Sequence, residues 1–278
     1  SLLLKGRVTR EKRELCPSAE EDNLKPFEQV ETKLESPQSL TEEQKLAMEA
    51  FAVQSPGSAF LLWGVTGSGK TEVYLQIAAR ELEAGRHCLI LTPEIGLIPQ
   101  LVDRFRRRFG SHVLEYHSGC SDKERVLVWR KALLPSQPLV VVGTRSAIFL
   151  PLSPLGLIVL DEEHDGSYKQ QFPMPCYHAR ELAFDLACRL GARVLLGSAT
   201  PSLTTWKSLA PKGPIGVAKL THRISDKPLP KVHVIDMRKE LADGHRRLIS
   251  RPLMNRLATL NESGEQAILL VPRRGYSS

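Results

Sequence analysis

Between residues 60 and 200 short apolar runs alternate with stretches of helical periodicity. The runs lie at 60–63, 88–92, 113–116, 139–142, 155–160 and 193–196. The intervening patterns predict helices over 71–83, 100–109, 121–134, 178–190 and 202–209, with Ser121 as an N-cap and Gly85 as a stop. Runs that are continuously apolar suit strands buried on both faces, and strands separated by helices pair in parallel. The pattern therefore predicts an α/β fold, a parallel sheet covered by helices on both faces. In such sheets the loops at the carboxyl ends of the strands carry the site.

One more helix precedes the first strand. Thr41 is its N-cap, Gln44 stands three residues on, and Leu46, Ala47, Ala50 and Phe51 share a face. Upstream, 16–39 is rich in Glu, Pro and Ser and reads as a linker. Residues 2–14 read as the end of a domain whose body precedes Ser1. Downstream, 221–230 is polar and proline-marked, like a connection. A strand is predicted at 232–235, a helix starting after Ser250 with Pro252 in its first turn, and a strand at 267–271. That little cannot bury a core, so a second domain is expected to continue beyond Ser278.

Composition changes the picture in few places. The 278 residues are 42% hydrophobic and 25% charged, as in globular proteins generally. No apolar run approaches the ~20 residues of a membrane span, and no apolar segment suits a signal peptide. The five cysteines include no C-x-x-C pair, so no zinc ligands are expected in this chain, and reduced thiols imply a cytoplasmic setting. The net charge of +7 is compatible with a polyanionic partner.

The chemistry begins at 64–71. Gly64, Val65, Thr66, Gly67, Ser68, Gly69, Lys70 and Thr71 form G-x-x-x-x-G-K-T, the phosphate-binding loop, set between an apolar run and a helical pattern. Its glycines let the backbone turn its N–H groups inward, Lys70 brings a charge to the β- and γ-phosphates, and the Thr71 hydroxyl is a Mg²⁺ ligand. Asp161, Glu162, Glu163 and His164 follow the 155–160 run. Asp161 is expected to hold Mg²⁺ and Glu162 to deprotonate the attacking water. In Gly197-Ser-Ala-Thr200, Ser198 and Thr200, with His164, are expected to couple the nucleotide state to the rest of the chain. Gln44 carries an amide that can read an adenine edge, or can be an ordinary helix-surface residue.

Two loops, at 92–100 and 143–149, offer N–H groups, hydroxyls and Arg145 for sugar-phosphate contacts. Tyr168, Phe172 and Tyr177 are interleaved with Lys169 and Arg180. Such aromatics stack on unpaired bases, or pin a loop to the core. Arg145, Tyr168, Lys169 and Arg180 are taken as candidate DNA contacts. The acidic motif together with Gly-Ser-Ala-Thr points to a helicase or translocase motor. A GTPase would want N-K-x-D, which is absent.

GVTGSGKTEVYL, LTPEIGLIPQL, HSG at 117–119, GTRSAIF, DEEHDGSYKQQ, YHAREL, LGSATPSL and the terminal RRGY together resemble the primosomal protein N′ family of bacterial replication-restart helicases. The resemblance runs from Leu40 to the end. It implies a superfamily 2 motor with two RecA-like P-loop NTPase lobes that uses ATP and Mg²⁺ and moves 3′ to 5′ on DNA. It implies work on forked and single-stranded DNA at abandoned forks, with primosome proteins and a replicative helicase loader as partners. It implies no membrane partner and a cytoplasmic, nucleoid-associated setting; the sequence leaves the oligomeric state open, with a monomer as the expectation. It assigns 1–15 to the end of a winged-helix domain, 16–39 to a linker, 40–220 to the first lobe, 221–249 to an inter-lobe connection and 250–278 to the start of the second lobe. The family's zinc insertion and the second-lobe arginine that reaches the γ-phosphate are expected beyond Ser278. This chain alone is accordingly expected to bind ATP and hydrolyse it poorly. The alternative reading is a fork-binding assembly protein whose ATPase is dispensable.

Overall fold

The computed structural model describes residues 34–209, 215–224 and 231–270. The expected winged-helix remnant and the linker as far as residue 33 lie outside them, and 34–39 is exposed coil. The chain divides after Asp226 into two compact units.

The first unit opens with α1 (Glu42–Ala52), whose Thr41 and Gln44 form the expected capping box. Then follow β1 (Ala59–Gly64), α2 (Lys70–Glu83), β2 (His87–Leu91), α3 (Ile98–Phe109), β3 (Val113–Tyr116), α4 (Asp122–Leu133), β4 (Val140–Gly143) and β5 (Leu155–Leu160). Two short strands, β6 (Lys169–Gln170) and β7 (Tyr177–His178), pair antiparallel and lead into α5 (Ala179–Leu190). The unit closes with β8 (Arg193–Ser198), α6 (Leu203–Ser208) and β9 (Ile215–Leu220).

Seven strands form one parallel sheet in the order β3-β4-β2-β5-β8-β1-β9. Successive side chains on a strand point to opposite faces. Ala59 and Leu61 accordingly enter one core cluster and Phe60 and Leu62 the other. Both faces are buried, which is why the strands read as unbroken apolar runs. Register then fixes the site. Leu62 pairs with Gly197 and Trp63 with Ser198, while Leu91 pairs with Leu160. The carboxyl ends of β1, β2, β5 and β8 therefore finish level with one another.

The pattern of the sequence does not show β9. It pairs with β1 along its whole length, but it is an edge strand interrupted by Gly216 and Lys219, with Val217 exposed. Nor is 221–224 a free connection. Thr221 and His222 bond the Glu43 carboxylate, and the Ile224 N–H donates to the Gly67 carbonyl.

In the second unit α7 (Met237–Ala242) and α8 (Arg251–Ser263) are joined by Arg251 bonding Glu240 and Asp243. Ser250 caps α8 as expected. The strands expected at 232–235 and 267–271 do not form among the described residues, and Val271 lies outside them. Val234 and Ile268 are almost fully exposed. An isolated apolar run with no strand to pair with has no reason to adopt the ladder.

Candidate nucleotide-binding and catalytic site

The loop after β1 is held from outside. Gly69, at φ +80, is the N-cap of α2, and a Cβ there would meet Gln44 Nε2 at 2.4 Å and Ile224 Cδ1 at 2.5 Å. Gln44 Nε2 donates to the carbonyls of Ser68 (3.0 Å) and Gly69 (3.4 Å), and Ile224 N–H to that of Gly67 (3.1 Å). The Ser68 N–H turns back to Val65 O, whereas the N–H groups that follow the Ser68 and Gly69 carbonyls, those of Gly69 and Lys70, point away from Gln44 at the start of α2, the geometry of an anion-binding nest. Lys70 is buried within the loop and its Nζ donates to Gly64 O at 2.8 Å. The Ser68 hydroxyl is buried without a partner, while Val65 and Thr66 are exposed. Of the two readings open for Gln44, an adenine reader or a helix-surface residue, the second fails, since the side chain is buried. Its Oε1 accepts the Thr41 N–H and its Nε2 serves the loop, so its contacts here buttress the phosphate loop.

Asp161 stands at the end of β5, its N–H bonded to Leu91 O. The Tyr74 hydroxyl, from α2, donates to Asp161 Oδ1 at 2.9 Å. Burial pushes the Asp161 carboxyl upward, opposed by that hydrogen bond and by the charge of Lys70. Glu162 follows with φ +48, a left-handed conformation that a non-glycine residue rarely adopts. Such outliers concentrate at functional sites. Glu163 turns the other way and is buried. Its carboxylate accepts from Ser202 N–H (2.7 Å) and Thr205 Oγ1 (2.8 Å), and pairs with Arg180 Nη1 (3.4 Å).

His164 joins the acidic motif to the turn after β8. Its Nδ1 lies 2.9 Å from Ser198 Oγ and 3.7 Å from Glu162 Oε2, and its Nε2 lies 3.4 Å from Thr200 Oγ1. Ser198 Oγ also accepts the Thr200 N–H. The three residues expected to couple are thus in one hydrogen-bonded group. Trp63, next to last in β1, donates from Nε1 to Ala199 O and meets the Trp206 ring edge-on at 4.9 Å, with Lys219 over its face.

The candidate DNA contacts divide. Lys169 is exposed, and Arg145 is half-buried with Nη1 donating to Ser167 O. Tyr168 and Arg180 require correction, being 0% and 5% exposed. The Tyr168 hydroxyl bonds Asp161 O and Leu91 O, and the Arg180 guanidinium pairs with Glu163. As placed, neither side chain is available to DNA; both fix the acidic motif. Phe172 and Met174, in the loop between β6 and β7, are instead 85% and 77% exposed. Two signals were available for these differences. Tyr74 lies one helical turn after Lys70, on the face that meets the sheet. Phe172 sits in Gln-Gln-Phe-Pro-Met-Pro, a stretch without the periodicity that would bury it.

The residues fit a magnesium nucleotide. The nest, Lys70 and the partnerless Ser68 hydroxyl suit phosphate oxygens, and the Asp161 carboxylate with the Thr71 hydroxyl is a hard oxygen donor set of the kind Mg²⁺ takes. One other group of ligand atoms lies within 4.8 Å among the described residues, Glu115, His117 and Cys120. There the Gly119 N–H donates to His117 Nδ1, which leaves the ring proton on Nε2 facing Glu115. That tautomer offers a metal no lone pair at Nε2.

Residues 41–209, more than half of the chain, match the model of the DEAD/DEAH box helicase family. The chain is 45% identical over 272 residues to replication restart protein PriA of Synechocystis sp., and 44% identical over 267 residues to that of Bacillus subtilis. The alignments take in 96% and 95% of this chain but 32% and 33% of those proteins, so it spans about a third of their length. It is also similar to RecG, solved bound to a three-way DNA junction, at 23% identity and a TM-score of 0.48, over 67% of this chain and 24% of that one. Because the family match takes in the phosphate loop, the acidic motif and the turn after β8, the chain belongs to the DEAD/DEAH box helicase family.

Proposed function

We propose that this chain is the ATP-binding motor lobe of a 3′ to 5′ DNA helicase that acts at stalled or abandoned forks and starts replication restart. The work of that helicase is to assemble a primosome and reload the replicative helicase. Its setting is cytoplasmic and nucleoid-associated. The observation that carries this reading is the hydrogen-bonded group of His164, Ser198 and Thr200, which Glu162 approaches to 3.7 Å, beside Asp161 and Lys70. A nucleotide-binding site wired in this way to the turn after β8 is built to convert occupancy into movement. The likeness to PriA supports the replication-restart setting.

In the proposed cycle Lys70 leaves the Gly64 carbonyl for the β- and γ-phosphates. The N–H groups at the start of α2 bind the same oxygens. Asp161 and Thr71 would hold Mg²⁺, which neutralises charge on the phosphates. Glu162 accepts a proton from the attacking water. The change in charge at Glu162 is felt by His164, 3.7 Å away, and passes to Ser198 and Thr200. Arg145 and Lys169 contact the DNA backbone, and Phe172 supplies a face for an unpaired base.

An arginine reaching the γ-phosphate contributes several powers of ten to turnover in GTPases, so with such an arginine expected from a second lobe this chain alone is proposed to hydrolyse ATP poorly. The test compares ATP hydrolysis, with and without forked DNA, by this chain and by a version extended past Ser278. Stimulation confined to the extended version supports the reading. Fork binding by both without stimulation of either transfers support to the assembly reading, in which the ATPase is dispensable.

A further inference from the structure

Tyr74 is fully buried, and its hydroxyl lies where three motifs meet. It belongs to α2, which begins at Lys70; it donates to the carboxylate of Asp161; and it occupies the space beside Gly197. A Cβ built on Gly197 would come within 1.7 Å of the hydroxyl oxygen and 2.8 Å of the ring carbon that bears it. Gly197 is therefore glycine because the tyrosine stands there. It has no left-handed φ that would demand glycine on its own account. Phenol hydroxyls inside a core need a partner, and this one has the residue proposed to hold the metal.

We propose that Tyr74 is a positioning residue for Mg²⁺: by holding Asp161 Oδ1 it orients the carboxylate so that the other oxygen becomes the metal ligand, and Gly197 is the space that lets it do so. The proposal rests on the nucleotide-site reading above. Partners of this kind set the direction and basicity of a ligand without touching the metal, and their loss typically weakens binding 10- to 100-fold. The arrangement also ties the direction of Asp161 to the backbone near the carboxyl end of β8. Movement of Gly197 away from β5 frees the hydroxyl, and with it the carboxylate.

The test uses ADP, so that no turnover occurs, and Mn²⁺ read by electron paramagnetic resonance as a probe of the Mg²⁺ site. The chain, Tyr74→Phe, Gly197→Ala and Asp161→Asn are compared, with thermal melting run first on each. Tyr74→Phe keeps the buried ring and removes only the donor. The expected result is a rise in the Mn²⁺ half-saturation of about 10-fold or more, with ADP binding in EDTA changed less than about twofold. Gly197→Ala, which keeps the tyrosine and displaces its hydroxyl, is expected to shift Mn²⁺ binding in the same direction. In the Asp161→Asn background Tyr74→Phe adds nothing further, because the two act as a unit. A folded Tyr74→Phe chain that binds Mn²⁺ like the unsubstituted one overturns the proposal and leaves the nucleotide site standing. So does a shift that persists in full with Asp161→Asn. If the unsubstituted chain takes up no Mn²⁺ with ADP, and Lys70→Ala binds ADP equally well, the nucleotide-site reading falls and takes this proposal with it.

Discussion

The Thr205 hydroxyl donates to the buried Glu163 carboxylate at 2.8 Å. Adjacent residues of one acidic motif therefore have opposite surroundings: Glu162 is partly open beside His164, and Glu163 is enclosed by Ser202, Thr205 and Arg180. Removing one partner of a buried ion pair leaves the other charge stranded, at about 3–5 kcal/mol. Glu163→Ala is expected to lower stability by about that amount, read as a drop in Tm. Glu162→Gln is expected to change stability by less than about 0.5 kcal/mol. In a version of the chain extended past Ser278 by a second lobe, the proposed role of Glu162 as the base predicts that the same substitution lowers kcat by about 10²- to 10⁴-fold. Melting curves and steady-state hydrolysis on the two variants check both expectations.

Gln44→Ala removes the amide that holds the Ser68 and Gly69 carbonyls. The loop then loses part of its pre-organisation, and each hydrogen bond lost is worth about 0.5–1.5 kcal/mol. ADP affinity is expected to fall about 2- to 10-fold. If adenine were Gln44's principal partner, the same substitution would relax discrimination between ADP and GDP; a buttress weakens both equally. Fluorescence titration with the two nucleotides separates the cases.

Phe172 is the exposed aromatic nearest the acidic motif in sequence. Stacking on a base is worth about 1–3 kcal/mol. Phe172→Ala is expected to weaken binding of single-stranded DNA about 5- to 100-fold with no change in Tm. Tyr168→Ala is expected to do the reverse, lowering Tm through the loss of a fully buried ring. Anisotropy and melting on the two variants distinguish a base-stacking residue from a scaffold residue.

His87 is buried at the start of β2, and its Nδ1 accepts the Leu139 N–H at 2.9 Å. Burial depresses its pKa below the ordinary 6.5. The unfolded chain therefore takes up the proton first as pH falls. The contribution of this group to stability is whole above about 6.5 and declines as pH drops below it. Protonation would also set an N–H against the Leu139 N–H. The difference in Tm between the chain and His87→Gln is expected to shrink from pH 7.5 to pH 5.5. A constant difference would show that His87 does not titrate in this range.

Much of the site can be read from residue order, because its chemistry depends on contiguous residues. A phosphate loop needs its glycines, lysine and threonine in sequence, and the strand before it needs a short apolar run. The same holds for the parallel sheet, since burial on both faces writes itself as Val-Val-Val or Leu-Ile-Val-Leu. What residue order hides is direction. Tyr168 and Phe172 are both aromatics following an acidic motif, yet one closes the core beneath Asp161 and the other stands in solvent. Arg180 reads as a cation near DNA until Glu163, far from it in sequence, is seen to bury beside it. Strand β9 is hidden for another reason. An edge strand is covered less fully, so Gly216 and Lys219 are tolerated and the apolar signature fades.

The edge-on pair of Trp63 and Trp206 gives the chain an optical reporter of its own. Two of its three tryptophans are coupled at 4.9 Å across the space between the phosphate-loop strand and the helix after the Gly-Ser-Ala-Thr turn. The third, Trp129, lies apart on α4. With Trp129→Phe the tryptophan bands of the near-ultraviolet circular dichroism and the tryptophan emission come from that pair alone. Any rearrangement that parts the two motifs when nucleotide binds then appears as a change in signal, with no label attached.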